Sequence, residues 1–472
     1  MSLDRTHNLS LEDMDRQSVF HPATSIADHL ENGPNIMASA RGVRITNTKG
    51  KEFIDCGSGL WCVNVGYGRE EIAEAAAKAM RDLSFSHMFG GNSNEAMIRL
   101  ADRILQLFHK EAGATHLSKV FFGTSGSDAN DTIFKLITYF NNLRGQPGKK
   151  KIISRTGAYH GLTYAATSLT GIAGYHKAFD APLDTVFHTS CPHYYRFHET
   201  GETEAEFCDR LIIELEELIE REGPKTIAAF YAEPVMGTGG VFIPPKDYFR
   251  RVQELLKIND ILFVADEVIT GFGRLGSWFA TGLMDLKPDF VTLAKGLTSA
   301  YFPVSGVVIS ERVWEVLKEE SPKYGPVMHG FTYSGHPVGG AVGMANLDIM
   351  EREALPANAA KIGPYFRDNL KARIGDHPFI GEVRGEGLMM AIELVADKEK
   401  RRWFDMADGA HRLFGAAAVE AGVLARPLPM IEVIGLSPPL CITKPEADEA
   451  IDRLACALDA VTPQLERLVQ KS

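Results

Sequence analysis

No run of apolar residues in this chain approaches the ~20 needed to cross a bilayer. No excess of basic residues exists either: the formal net charge is −11. That balance argues against a general nucleic-acid partner, which calls for a basic face. The first residues, MSLDRTHNLSLEDMDRQS, lack the basic start and apolar core of a secretory signal. Cysteines are few and scattered (Cys56, Cys62, Cys191, Cys208, Cys441 and Cys456), and no pair forms C-x-x-C. This spacing predicts free thiols in a reducing cytoplasm and no structural metal. Repeats and low-complexity tracts are also missing. What remains is an ordinary globular composition, 45% hydrophobic and 24% charged over 472 residues. It suffices for a large core in two or three lobes.

The central two thirds alternates helical and strand patterns. EEIAEAAAKAMRDL (70–83) and PKDYFRRVQELLKIND read as amphipathic helices. KVFFG, KKIISR, TIAAFYAEPV, ILFVADEVIT, DFVTLAKG and VSGVVIS read as strands, several of them continuously apolar. Such strands between helices predict an α/β fold around a mostly parallel sheet covered on both faces. Beyond about residue 336 the pattern changes. Helices at 356–374 and 409–421 alternate with short strands near 381–394 and 431–436. A smaller α+β domain is expected there, joined by residues 1–65, with 66–335 as the large domain.

Three features carry chemistry. In FFGTSGSDANDTIFKLI a strand runs through a Gly/Ser/Thr turn into a helix. The free N–H groups at that helix start suit an anion, with Ser125 and Ser127 as hydroxyl donors and Gly126 allowing close approach. An ordinary N-cap at Ser127 or Asp128 explains the turn equally well. In ILFVADEVITGFGR, Asp266 and Glu267 end an apolar strand, where ligands of open α/β sheets bind. Only one of the two can face inward, since strand side chains alternate. The competing readings are a helix cap, which the following GFGR loop disfavours, and a surface pair. In DFVTLAKGLTSAYFP, Lys295 stands in apolar company. Burial disfavours its ammonium form and leaves a usable amine nucleophile. A lysine, a carboxylate and an anion cradle together suit pyridoxal 5′-phosphate.

From about residue 20 onward the chain resembles the class III aminotransferases of fold type I, and among them the ω-amine:pyruvate transaminases. GLWCVNVGYG, GTSGSDAND, GAYHG, AEPV, ADEVITGFGR, VTLAKGLTS and HGFTYSGHPV carry the resemblance, in order. It implies a large domain with a seven-stranded, mostly parallel sheet, pyridoxal 5′-phosphate as cofactor, and a homodimer with shared active sites, or a tetramer built from it. It implies Lys295 as the Schiff-base lysine and proton carrier. Asp266 would partner the pyridinium nitrogen, Val268 one ring face and Tyr159, beside His160, the other. Ser125, Gly126 and Ser127 would hold the phosphate, with Thr332 reaching into the neighbouring subunit's site. Glu233 would serve the cofactor's hydroxyl side. Leu60, Trp61 and Phe89 would wall the substrate pocket, and Arg426 would clamp a substrate carboxylate.

Two departures from the family pattern stand out. Asp128 replaces a common glutamate and keeps its charge, and Thr238 sits where some relatives carry a smaller residue, narrowing the pocket. The tract 188–207, with His193 and His198, reads as an exposed loop and not as a metal site. Transamination from an ω-amino acid or primary amine to pyruvate or a similar keto acid is the leading reading. A decarboxylase or aminomutase of the same superfamily, or a non-catalytic cofactor-binding protein, shares most of these residues. β-Alanine, taurine, a polyamine and an aryl-alkylamine all stay open as donors.

Overall fold

A computed structural model describes residues 9–471. Its centre is a seven-stranded sheet. The spatial order is Leu117–Gly123, Ser305–Ser310, Phe290–Leu293, Leu262–Asp266, Ile227–Ala232, Lys151–Arg155 and Val186–Thr189. Ser305–Ser310 runs antiparallel to both of its neighbours, and the other pairings are parallel. Four of the five inner strands, Ile227–Ala232, Leu262–Asp266, Phe290–Leu293 and Ser305–Ser310, are buried throughout. That is why they lack polar alternation: helices cover both faces.

On one face lies the helix Gly126–Leu143. Its Ile133, Ile137 and Phe140 form one cluster with Val264, Phe290 and Val307. On the other face Leu211 and Leu215 of Glu204–Glu222, with Val252 and Leu256 of Tyr248–Ile258, cover Phe230 and Phe263. Two smaller sheets complete the fold. Met37–Arg41, Arg44–Asn47 and Glu52–Asp55 form a meander, and Val423–Leu424 joins it parallel to Glu52–Asp55. Ile380–Glu386, Met389–Leu394, Val433–Leu436 and Arg426–Pro427 form the other. Among the described residues, no helix is long and apolar enough to cross a membrane. All six cysteines are free.

The tract 188–207 is not an exposed loop. It finishes a sheet strand, forms the short helix Tyr194–Phe197 and starts the helix Glu204–Glu222. His193 is only 3% exposed, because its ring stacks on Phe242 at 4.1 Å.

Candidate active site

Several sheet strands end toward one cavity. The turn after Leu117–Gly123 brings Gly126 and Ser127, and the turn after Lys151–Arg155 brings Tyr159 and His160. Glu233 and Asp266 come from the ends of Ile227–Ala232 and Leu262–Asp266, and Lys295 follows Phe290–Leu293. Leu60, Val235, Thr238, Val268, Ile269 and Arg426 complete most of the wall. Ligands bind at such carboxyl ends because side chains from several strands converge there.

Lys295 has φ +45°, in the left-handed region that non-glycine residues rarely occupy. Its Nζ has no hydrogen bond or ion pair among the described residues. Burial pulls its pKa down to about 8, with Arg426 adding to the effect and Cys62, Asp266 and Glu233 opposing it.

Asp266 is held rigidly. One carboxylate oxygen accepts from His160 Nδ1 at 2.8 Å and from Asn130 Nδ2 at 2.9 Å. The other accepts from the Val268 N–H at 3.1 Å. Asn130 in turn donates to the His160 carbonyl and accepts from Thr292 Oγ1. Glu267 points the opposite way, as alternation requires. Its carboxylate accepts from the N–H groups of Ala280 and Thr281 and from both threonine hydroxyls, Thr270 and Thr281. So the helix-cap reading holds after all for Glu267, across a loop of a dozen residues, while Asp266 faces the cavity.

The helix Gly126–Leu143 is capped by Ser125, with Asp128 completing a capping box. The cap is therefore neither Ser127 nor Asp128. Ser125 spends its hydroxyl on Asp128 N–H and does not line the cavity. The N–H groups of Gly126 and Ser127 find no acceptor among the described residues, so the anion-binding potential of this helix start is intact. Gly126 is needed there: a Cβ would come within 3.0 Å of Val268. Gly161, at φ +121°, passes so near Ser127 that a Cβ would lie 2.4 Å from its hydroxyl.

Glu233 ties the cavity together. It accepts from Tyr159 N–H at 3.0 Å and from Gly237 N–H at 2.7 Å. Burial raises its pKa, and burial pushes that of Tyr159 up to about 12. Thr238 follows Gly237 into the wall. The loop beyond it is gripped from outside: Arg384 donates to the carbonyls of Gly240 and Val241 and pairs with Glu382 and Glu393.

Arg426 faces the cavity without a carboxylate. No hydrogen bond or ion pair of its side chain exists among the described residues, and burial lowers its pKa, with Tyr175 and Tyr159 nearby. Leu60 lies in the wall and is 60% exposed. Trp61, at 1%, is buried with Leu428 and Val433 behind the wall. Phe89, 49% exposed, lies against Gly330, and neither it nor the exposed Thr332 lines the cavity. Asn130 was not singled out in the sequence, although it sits four residues after Gly126 on the same helix face. Gly161, Val235, Ile269 and Thr270 were likewise missed, lying in turns whose path depends on tertiary contacts.

The model of the family described as "Aminotransferase class-III" matches residues 26–458. The diaminobutyrate–2-oxoglutarate transaminase of Halomonas elongata is 45% identical over 466 residues, 98% of each chain. The mitochondrial gamma-aminobutyrate transaminase 1 of Oryza sativa subsp. indica is 42% identical over 438 residues, covering 93% of this chain and 84% of the other. Among solved structures, the ω-transaminase of Pseudomonas jessenii in complex with PMP superposes with a TM-score of 0.93. It is 40% identical over 97% of this chain and 99% of its own.

Proposed function

The chain belongs to the class-III aminotransferases, and from that premise we propose that it moves an amino group from a primary amine or ω-amino acid to pyruvate or a similar monocarboxylate keto acid. The two half-reactions alternate in one cavity. Arg426 is the observation that carries the choice of acceptor. Among the described residues, Lys295 and Arg426 are the only lysine and arginine in the cavity wall, and Lys295 is needed for chemistry. One guanidinium matches one carboxylate. A keto dicarboxylate would find no second arginine for its second carboxylate among the described wall residues.

The cavity fits pyridoxal 5′-phosphate. An unpaired lysine, a rigid carboxylate and free helix-start N–H groups flank a space that a side chain at position 126 would invade. A relative of the same fold bound to PMP supports this reading. When bound, the cofactor supplies an electron sink for the carbanion left at the substrate carbon. Asp266 would keep positive charge on the ring nitrogen, and Gly126 and Ser127 would hold the phosphate. Tyr159 and Val268 would confine the ring. His160 and Asn130 fix the Asp266 carboxylate, and Glu233 fixes the backbone that carries Tyr159. Lys295 would anchor the cofactor and, as a free amine, would carry the proton taken from or given to the substrate carbon. Leu60, Val235 and Ile269 bury the donor's apolar part, and Thr238 limits its width.

Phe89 and Thr332 are exposed and do not line this chain's own cavity, which supports a homodimer in which they complete the neighbouring subunit's site. Free thiols throughout support a cytoplasmic setting.

The test separates the two half-reactions by single-turnover spectroscopy. Arg426→Ala should lower kcat/KM with pyruvate or alanine by about ten- to a hundredfold, the size of a lost charge-assisted pair. An uncharged amine such as 1-phenylethylamine should react at a nearly unchanged rate. Equal losses for both would assign Arg426 a structural role. In the same assay the wild type should prefer pyruvate to 2-oxoglutarate; the opposite preference would overturn the acceptor assignment.

A further inference from the structure

The N-terminal part of the chain holds a ligand set that transamination does not use. Two short helices, Leu11–Ser18 and Ile26–Asn32, contain no buried residue. At eight and seven residues, both are far below the length at which a helix holds itself. Yet they place three side chains against one another. His21 Nε2 lies 3.0 and 3.1 Å from the two carboxylate oxygens of Asp15. His29 Nε2 lies 3.0 Å from Oδ1 of the same group. The ligand atoms of all three residues lie within 4.8 Å of one another.

Hydrogen bonding explains only half of this. His29 Nε2 is enclosed and makes no hydrogen bond among the described residues, although it points at Asp15. The two imidazole rings are 4.3 Å apart, tilted by 46°, so they converge instead of stacking. Arg16, the cation next in sequence, turns to Asp13 at 3.5 Å and leaves Asp15 to the histidines. Metal bonds of about 2.0–2.1 Å at a somewhat compressed tetrahedral angle separate ligand atoms by about 3.0–3.3 Å. The two histidine–aspartate spacings are of that size. A crevice lined by His21, His29, Arg16, Phe20 and Leu30 gives access from solvent.

A second cluster shows what a non-site looks like. His193, Glu382 and Glu393 also converge. There Arg384 pairs with both carboxylates and Arg196 with Glu393, so the negative charge is already matched. Among the described residues, no arginine or lysine does this for Asp15.

We propose that Asp15, His21 and His29 bind a divalent transition-metal ion of the zinc type, with water in the remaining position, and that the ion pins the two N-terminal helices together. Two imidazoles and one carboxylate are borderline ligands that favour Zn2+ over Mg2+ or Ca2+.

The experiment titrates Zn2+, and Co2+ as its visible reporter, into chelator-treated, dialysed holoenzyme. Wild type should take up one ion per chain that His29→Gln and Asp15→Asn do not. Affinity at this site should fall at least about a hundredfold in either variant. The intense visible bands of four-coordinate Co2+ should vanish with it. Zn2+ should also slow proteolysis between residues 10 and 33 in wild type only. Without added metal, the variants should match wild type in thermal unfolding and turnover. Equal stoichiometry and affinity in wild type and both variants would overturn the site. Zn2+ uptake without protection of the segment would overturn the pinning.

Discussion

Lys295→Ala is expected to reduce amino transfer to below about one ten-thousandth of the wild-type rate, with the fold intact. The group removed is the unpaired amine at the end of the sheet, and no neighbour can replace it. Cys62 stays a protonated thiol, since burial raises its pKa. Tyr159 holds its proton up to about pH 12. A readout independent of turnover is the covalent link: borohydride should fix the cofactor to the peptide bearing Lys295 in wild type and to none in the variant. Borohydride-stable labelling of the variant at the wild-type rate would refute the assignment.

Stability adds a second check on the cofactor-free proteins. The folded-state pKa of Lys295 is lowered, from 10.5 to about 8. Between those values the unfolded chain binds the proton that the folded chain has released. Wild type should therefore gain stability relative to Lys295→Ala as pH rises through that window. Below about pH 8 the folded chain carries a buried ammonium, and the variant should be the more stable of the two. Thermal unfolding at pH 7 and pH 10 measures both signs.

Asp266→Asn is expected to keep the cofactor bound and to lower kcat by about 10²–10³-fold, the size of losing one preorganised electrostatic partner. The effect has two sources. An amide carries no charge to hold against a protonated ring nitrogen. It also misfits its own supports. His160 Nδ1 and Asn130 Nδ2 both donate to one oxygen, so the amide oxygen must occupy that place. Its NH2 group then faces the Val268 N–H, donor against donor. The cofactor's absorbance reports retention, and single turnover reports the rate. A kcat within a few fold of wild type would remove Asp266 from the chemistry.

The sequence made the sheet legible because its inner strands are buried on both faces, so ILFVAD and DFVTL are continuous apolar runs. Lys295 and Asp266 were legible for the same reason: a charge at the end of such a run is conspicuous. Residues whose role depends on non-local contacts were not legible. Asn130 looks like any polar residue of a helix until Asp266 and Thr292 arrive from other strands. Glu267 caps a helix that starts thirteen residues later, a relation that local capping patterns do not reveal. His193 reads as a loop residue, and only Phe242 and the strands carrying Glu382 and Glu393 bury it. Trp61 was the converse case. The resemblance implied a pocket wall, but its side chain is buried beneath one.

The grip of Arg384 on Gly240 and Val241 has an evolutionary consequence. Thr238 is shaped by a clamp rooted in the strand Ile380–Glu386, outside the cavity. Mutational drift at Glu382, Arg384 or Glu393 can therefore alter substrate range while every residue that touches the substrate stays the same. Descendants of this chain could diverge in donor preference with identical cavity walls, and a comparison of wall residues alone would score them as equivalent.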